Sequence, residues 1–209
     1  MVNSNKKKVE SRKKKVGAHQ RVCPDDKDRR ISWTNKDGFD VEYNLKKGDW
    51  QIFFDLRGLS QKLFTSINLI EKGSSVKIFG LFVGHKNDIL DWDFKITHQK
   101  SQTKADILIK GVLDNAAKVQ FDGVLGVEPK LTEVESILRH HTLLLSDDAK
   151  ALVTPSLEIR SDEAKITHAS SLSTLDEEQL FYLYSRNYSH EKAKNILTRG
   201  FLHGVEFQQ

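Results

Sequence analysis

The chain has a single cysteine among 209 residues, Cys23, set among charged residues near the N-terminus. One thiol forms no intrachain disulfide and fits a reducing compartment. No run approaches the roughly 18 apolar residues of a membrane-spanning helix. No apolar core follows the early lysines, so the N-terminus does not read as a secretory signal. These absences point to a cytoplasmic protein with no membrane partner. The chain also lacks a P-loop and the patterns GxGxxG, GxSxG and HExxH. Its carboxylates are scattered over turns, with no pair at a convincing acid/base spacing. The sequence therefore reads as non-catalytic.

Charge is present but unevenly placed. The formal net charge is +4, yet residues 1–30 hold 11 Lys/Arg against 4 Asp/Glu. The basic character thus belongs to the N-terminal segment, and the body is slightly acidic. KKKVESRKKK (6–15) has almost no apolar surface to offset its ordering entropy. Residues 1–37 are expected to form a basic, disordered arm. Such an arm could touch nucleic acid or an anionic membrane. No aromatic residue interleaves with the lysines as a stacking platform, so nucleic acid is not expected as a partner.

From residue 38 to 172 the chain reads as short strands. FDVEYNL (39–45), WQIFFDL (50–56), LFTSINLIE (63–71), SVKIFGLFVG (75–84), ILDWDFKITH (89–98), ADILIKGVL (105–113) and AKVQFDGVLGV (117–127) alternate apolar and polar residues. The turn signals KKGD, KGSS, HKND, KSQT, LDNA and EPK separate or flank them. Period-two alternation puts Val76, Ile78 and Gly80 on one face, with Lys77 and Phe79 on the other. Strands at about 12–16-residue intervals fit a β-sandwich or a β-solenoid. Two strands per coil of about 24–30 residues suits a β-helix. The interior candidates are Leu81, Val83, Ile107, Ile109, Val119, Phe121, Val124, Leu143, Leu145, Val153, Leu157 and Ile159.

Residues 173–209 change period. Thr174 can cap a first helix, with Glu177 at the capping-box position, and Asp176, Glu177 and Glu178 suit the positive end of its dipole. Leu180, Leu183 and Tyr184 form a stripe with Phe181 beside it. Ser189 can cap a second helix, whose apolar face is Ala193, Ile196, Leu197 and Phe201. Gly200 lies near its end and Gly204 can stop it.

The segments LLLSD (143–147), TPSLEIRSDEAKITHASS (154–171), LDEEQLFYLYSRN (175–187) and EKAKNILTRGF (191–201) resemble the SufB/SufD family of iron–sulfur cluster assembly proteins. GSSVKIFGLFVG (73–84) and KGVLDNAAKVQFDG (110–123) extend the likeness upstream. The resemblance implies a mainly β fold: a right-handed parallel β-helix followed by a short C-terminal helical region. Family members usually carry a further N-terminal helical domain, and here only the lysine segment precedes the strands. They dimerise through the C-terminal coils, and their helical region docks the SufC ATPase. The corresponding residues here are Leu180, Phe181, Tyr184 and Arg186.

The likeness favours a SufD-like member. SufB-like members carry a cysteine at about the place of His140 and a glutamate at the place of Ala169. Conventional clusters take about four thiolates, and the body of this chain has none. His168 matches a histidine that SufD-like members use at the interface with SufB, and imidazole suits iron or zinc. His140 and His98 are weaker candidates; His140 and His141, as strand neighbours, point to opposite faces. What the resemblance implies is a non-catalytic scaffold component that binds no cofactor permanently. An iron–sulfur cluster or iron would pass transiently over a subunit interface. The implied partners are a SufC-like ATPase and a SufB-like subunit or a second copy. The competing expectation is a self-associating β-helix interaction protein without metal chemistry.

Overall fold

The computed structural model describes residues 19–22, 29–33, 40–58 and 60–205. Among them are twelve strands: β1 His19–Val22, β2 Arg30–Trp33, β3 Asp40–Leu45, β4 Gly48–Arg57, β5 Lys62–Leu69, β6 Ser74–Gly84, β7 Ile89–His98, β8 Lys104–Leu113, β9 Lys118–Val127, β10 Val134–Leu144, β11 Lys150–Ile159 and β12 Ala164–Thr174. Consecutive strands belong to different sheets. The odd-numbered strands form one six-stranded sheet and the even-numbered strands the other. Every described ladder is parallel. A parallel pair needs a long crossover, and here the crossover is a strand of the opposite sheet. Ser75, Lys104, Glu135 and Lys165 stack in one column, so a coil advances about thirty residues. The chain is a parallel β-helix with two strands per coil.

Alternation builds the core between the sheets. In β7, Leu90, Trp92, Phe94, Ile96 and His98 are buried, while Asp91, Asp93, Lys95 and Thr97 face outward. Stacking coils then turns each inward position into a column. Leu63, Trp92 and Phe121 form one, and Ile52, Ile78, Ile107 and Leu138 another. Each such side chain contributes on the order of 1.5–3 kcal/mol by leaving water. Large rings need matching gaps. A Cβ on Gly111 would lie 1.7 Å from Cζ of Phe82, whose ring fills that space.

Two helices follow the strands: α1 Glu177–Ser185 and α2 His190–Leu202. Ser189 caps α2 as its sequence position suggests, accepting from Lys192 N at 3.4 Å. α2 runs through Gly200, and Gly204 takes a positive φ of 92° just past its end. The cap of α1 differs from expectation. Thr174 still belongs to β12, and the Asp176 carboxylate accepts from Glu178 N and Gln179 N.

The end of α2 lies on the outer face of the even sheet. Leu202 and Val205 pack there with Leu81, Val112 and Leu143. Lys110 Nζ donates to the carbonyls of Phe201 (2.7 Å) and His203 (2.9 Å), at the negative end of the helix dipole. Lys194 of α2 pairs with Asp114 at 2.9 Å. Consequently Leu81, Leu143, Val83 and Leu145 are not inside the coils as their pattern suggested; they line this second, outer cluster. Val124 also points outward, level with Lys95 and Ser156 on the odd sheet. Ile107, Ile109, Val119 and Phe121 are interior as expected, with Val153 packed against them.

The β-helix also reaches further back than residue 38. β1 and β2 lie inside the segment read as an arm, and Trp33 is buried against Phe54 with ring centroids 6.1 Å apart. The lysine-rich 6–15 and Cys23 fall outside the described residues.

Candidate functional site at the open end of the β-helix

Among the described residues, β11 and β12 each have one neighbouring strand, so the stack ends open. Their inward side chains continue the core columns without a coil above them. Tyr43, Ile67, Ile96 and Leu125 are sealed, yet Leu157, next in the same column, is 41 % exposed. Ile159 and Leu172 are likewise uncovered. Apolar columns cut off in this way mark a surface built to be covered.

His168 stands at this end. Its register partner is Leu138, beneath which lie Ile107 and Ile78. It therefore takes an inward position in a column of aliphatic residues while remaining exposed. The imidazole is thus a polar group at the uncovered end of that aliphatic column.

His140 occupies the coil below, opposite Ser170 of β12. It is 1 % exposed and stacks between Phe121 (centroids 4.7 Å apart) and Phe82 (5.8 Å). Neither ring nitrogen has a hydrogen-bond partner among the described residues. Burial, helped by the positive field of His141, pushes its pKa down to about 4. The ring is neutral at pH 7. His141, its neighbour, points to the other face and is hydrogen-bonded through Nδ1 to Ser171 at 2.7 Å.

His98 sits elsewhere. It belongs to the odd sheet, two strands before β11, and is fully buried. Thr103 donates its hydroxyl proton to Lys100 O at 2.9 Å, so His98 Nδ1–H donates to Thr103 Oγ1 at 2.8 Å. Nε2 has no hydrogen-bond partner among the described residues, and burial lowers the pKa to about 4. This histidine ties a turn to the core. The structure brings His140 and His168 onto adjacent strands and leaves His98 apart.

Of the expected docking residues, Leu180, Phe181 and Tyr184 lie on α1, which buries none of its side chains, and Arg186 is its C-cap. Phe181 is 74 % exposed, and Tyr182, Tyr184 and Tyr188 are exposed beside it. Leu180 is half-buried. The Arg186 guanidinium lies over the Tyr182 ring at 5.3 Å. Apolar helix residues without a core to cover point to a partner.

Sequence reasoning missed one cluster. Asp91, Asp93 and Asp122 converge on the outer face of the odd sheet. They are spread over two strands, and only the register of β7 on β9 joins them. Lys62 already bridges Asp91 and Asp93 at 2.9 Å each.

A two-sheet parallel β-helix with an uncovered last coil and an exposed helical tail defines the class of protein. Residues 53–201 match the family model described as SUF system FeS cluster assembly, SufBD core domain, and the chain belongs to that family. Two similar relatives are iron–sulfur cluster assembly SufBD family proteins of Staphylococcus aureus (strain USA300) and Staphylococcus haemolyticus (strain JCSC1435). Each is 31 % identical over 131 residues, which is 63 % of this chain and 28 % of the relative. The match thus spans little more than a quarter of those relatives' length.

Proposed function

We propose that this chain is a SufD-like, non-catalytic scaffold subunit of a cytoplasmic iron–sulfur cluster assembly complex. Its open end pairs with a SufB-like subunit or with a second copy. Its α1 face receives a SufC-like ATPase, which supplies any nucleotide hydrolysis. An iron–sulfur cluster, or iron, is the cargo carried across the seam and not a resident cofactor.

The observation that carries this reading is the position of His168. It places a nitrogen ligand at the uncovered end of an otherwise aliphatic column. Two places named by the resemblance support the SufD-like side of this reading. His140, at about the place of the SufB-like cysteine, is an imidazole between two phenyl rings. Ala169, at the place of the SufB-like glutamate, offers no carboxylate. A cluster here needs its remaining ligands from the partner, as an incomplete donor set demands.

The reading is tested by co-purification with a SufC-like ATPase and a SufB-like subunit, followed by iron and sulfide analysis. A ternary complex holding both elements is the expected result. Failure to bind either partner would overturn the proposal.

A further inference from the structure

The end of α2 sits on an apolar cluster that has a lysine in its middle. On the outer face of β8, Lys110 stands between Leu108 and Val112, with Leu81 beneath it in register. A charge is costly in such surroundings, and burial lowers the pKa of this ammonium. An apolar residue of similar volume would pack there at least as well. Apolar contact is non-directional, however. It seals α2 without choosing which way the helix runs.

The polar contacts supply the direction. Lys110 Nζ donates to Phe201 O at 2.7 Å and to His203 O at 2.9 Å, at the C-terminal end of α2. Towards the other end of the helix, Lys194 Nζ donates to the Asp114 carboxylate at 2.9 Å. The spacings agree. Lys110 to Asp114 spans about 13 Å of extended chain, and Lys194 to Leu202 spans about 12 Å of helix. α2 therefore runs antiparallel to β8, pinned at two places. The reverse direction would set Lys194 against the Lys110 ammonium and the carbonyl end of the helix against the Asp114 carboxylate. Both contacts repel, which excludes the wrong arrangement.

The placement of α1 follows from that of α2. α1 buries none of its side chains, and residues 186–189 join it to α2. The Tyr184 hydroxyl lies 2.6 Å from His190 Nδ1 at the start of α2.

We propose that Lys110, together with the Lys194–Asp114 pair, is a positioning latch for the docking face. It fixes the direction and place of α2 on the even sheet. Through α2 it holds Phe181 and Tyr184 where the ATPase partner meets them. The inference rests on the docking reading above and adds what keeps that face in place.

The test uses the full chain carrying Cys23→Ser and two spin labels, one at Gln179→Cys on α1 and one at Lys77→Cys on the even sheet, both exposed positions. The distance distribution between the labels and the affinity for a SufC-like ATPase are measured for this parent and its variants. The parent should give a narrow distribution. Lys110→Met keeps the apolar stem and removes the donors. It should broaden the distribution and weaken ATPase binding by about tenfold or more, with a thermal midpoint within about 4 °C of the parent. Lys194→Met should act in the same direction from the helix side, and Lys110→Arg should restore both readouts. A distribution that stays narrow in Lys110→Met and Lys194→Met overturns the latch. A broadened distribution with undiminished ATPase affinity overturns its positioning role. A parent with a narrow distribution that binds no ATPase overturns the docking reading and leaves the seating of α2 intact.

Discussion

His140 stacks on Phe121 with ring centroids 4.7 Å apart, and neither imidazole nitrogen finds a partner among the described residues. A neutral ring tolerates this place and an imidazolium does not. His98 is in the same position through its unpartnered Nε2. Both have pKa values near 4 when folded, against 6.5 for the free side chain. The unfolded chain therefore binds more protons between pH 4 and 6.5. Their stabilising contribution is complete above about pH 6.5 and is lost as pH falls towards 4, by up to about 3 kcal/mol per histidine. Urea unfolding at a series of pH values checks this. His140→Phe should leave stability at pH 7 within about 1.5 kcal/mol and remove roughly half of the acid loss. An unchanged pH slope in that variant would contradict the neutral-ring account.

The Phe82 ring lies where a side chain on Gly111 would stand. Gly111→Ala should destabilise by about 1–3 kcal/mol through overpacking, lowering Tm by roughly 2–4 °C per kcal/mol for a chain of this size. Phe82→Leu, costly alone, should lessen the penalty of Gly111→Ala in the double variant. Additive losses in a double-mutant cycle would show that the two residues do not share this space.

The two helices should respond differently to truncation. Phe181 is 74 % exposed and Leu202 is 4 % exposed. Phe181→Ala should change stability by less than about 0.5 kcal/mol yet weaken capture of the ATPase partner. Leu202→Ala should cost about 2–5 kcal/mol by opening the seal of α2 on the even sheet. Thermal melts and pull-down measure both, and full ATPase binding by the Phe181 variant would contradict the docking assignment.

Trp33 tests where the β-helix begins. Its ring is buried against Phe54. Trp33→Ala should therefore cost about 3–5 kcal/mol. A loss near zero in denaturant unfolding would return residues 29–33 to the arm expected from charge alone.

The strands were legible because period-two alternation and polar turns punctuate the chain. ILDWDFKITH (89–98) is strand β7 to the residue. Which face is inside was legible only where the outer face stays polar. At Leu81, Leu143 and Leu145 both faces are apolar, because α2 returns from far along the sequence to cover the outer one. Alternation cannot report such a tertiary contact. VESILRHHTLL (134–144) misleads in the opposite way. Ser136, His140 and Thr142 point inward, while Ile137 is 44 % exposed on the outside. Stacking of Leu138 on Ile107 sets that phase, and no local pattern reveals it. The basic charge of residues 1–30 likewise hid β1 and β2. Candidate His168 was legible through family likeness, whereas its inward place at an open end required the register.

The account is tested most directly at His168. The chain is combined with its SufB-like and SufC-like partners under anaerobic conditions, and iron and acid-labile sulfide are measured per complex for wild type and for His168→Ala. The wild-type complex should accumulate both elements. The variant should accumulate less of each while losing less than about 1 kcal/mol of stability, because its side chain is exposed in the single chain. Equal accumulation by wild type and variant, or none in either, would contradict a ligand role for His168 at the seam.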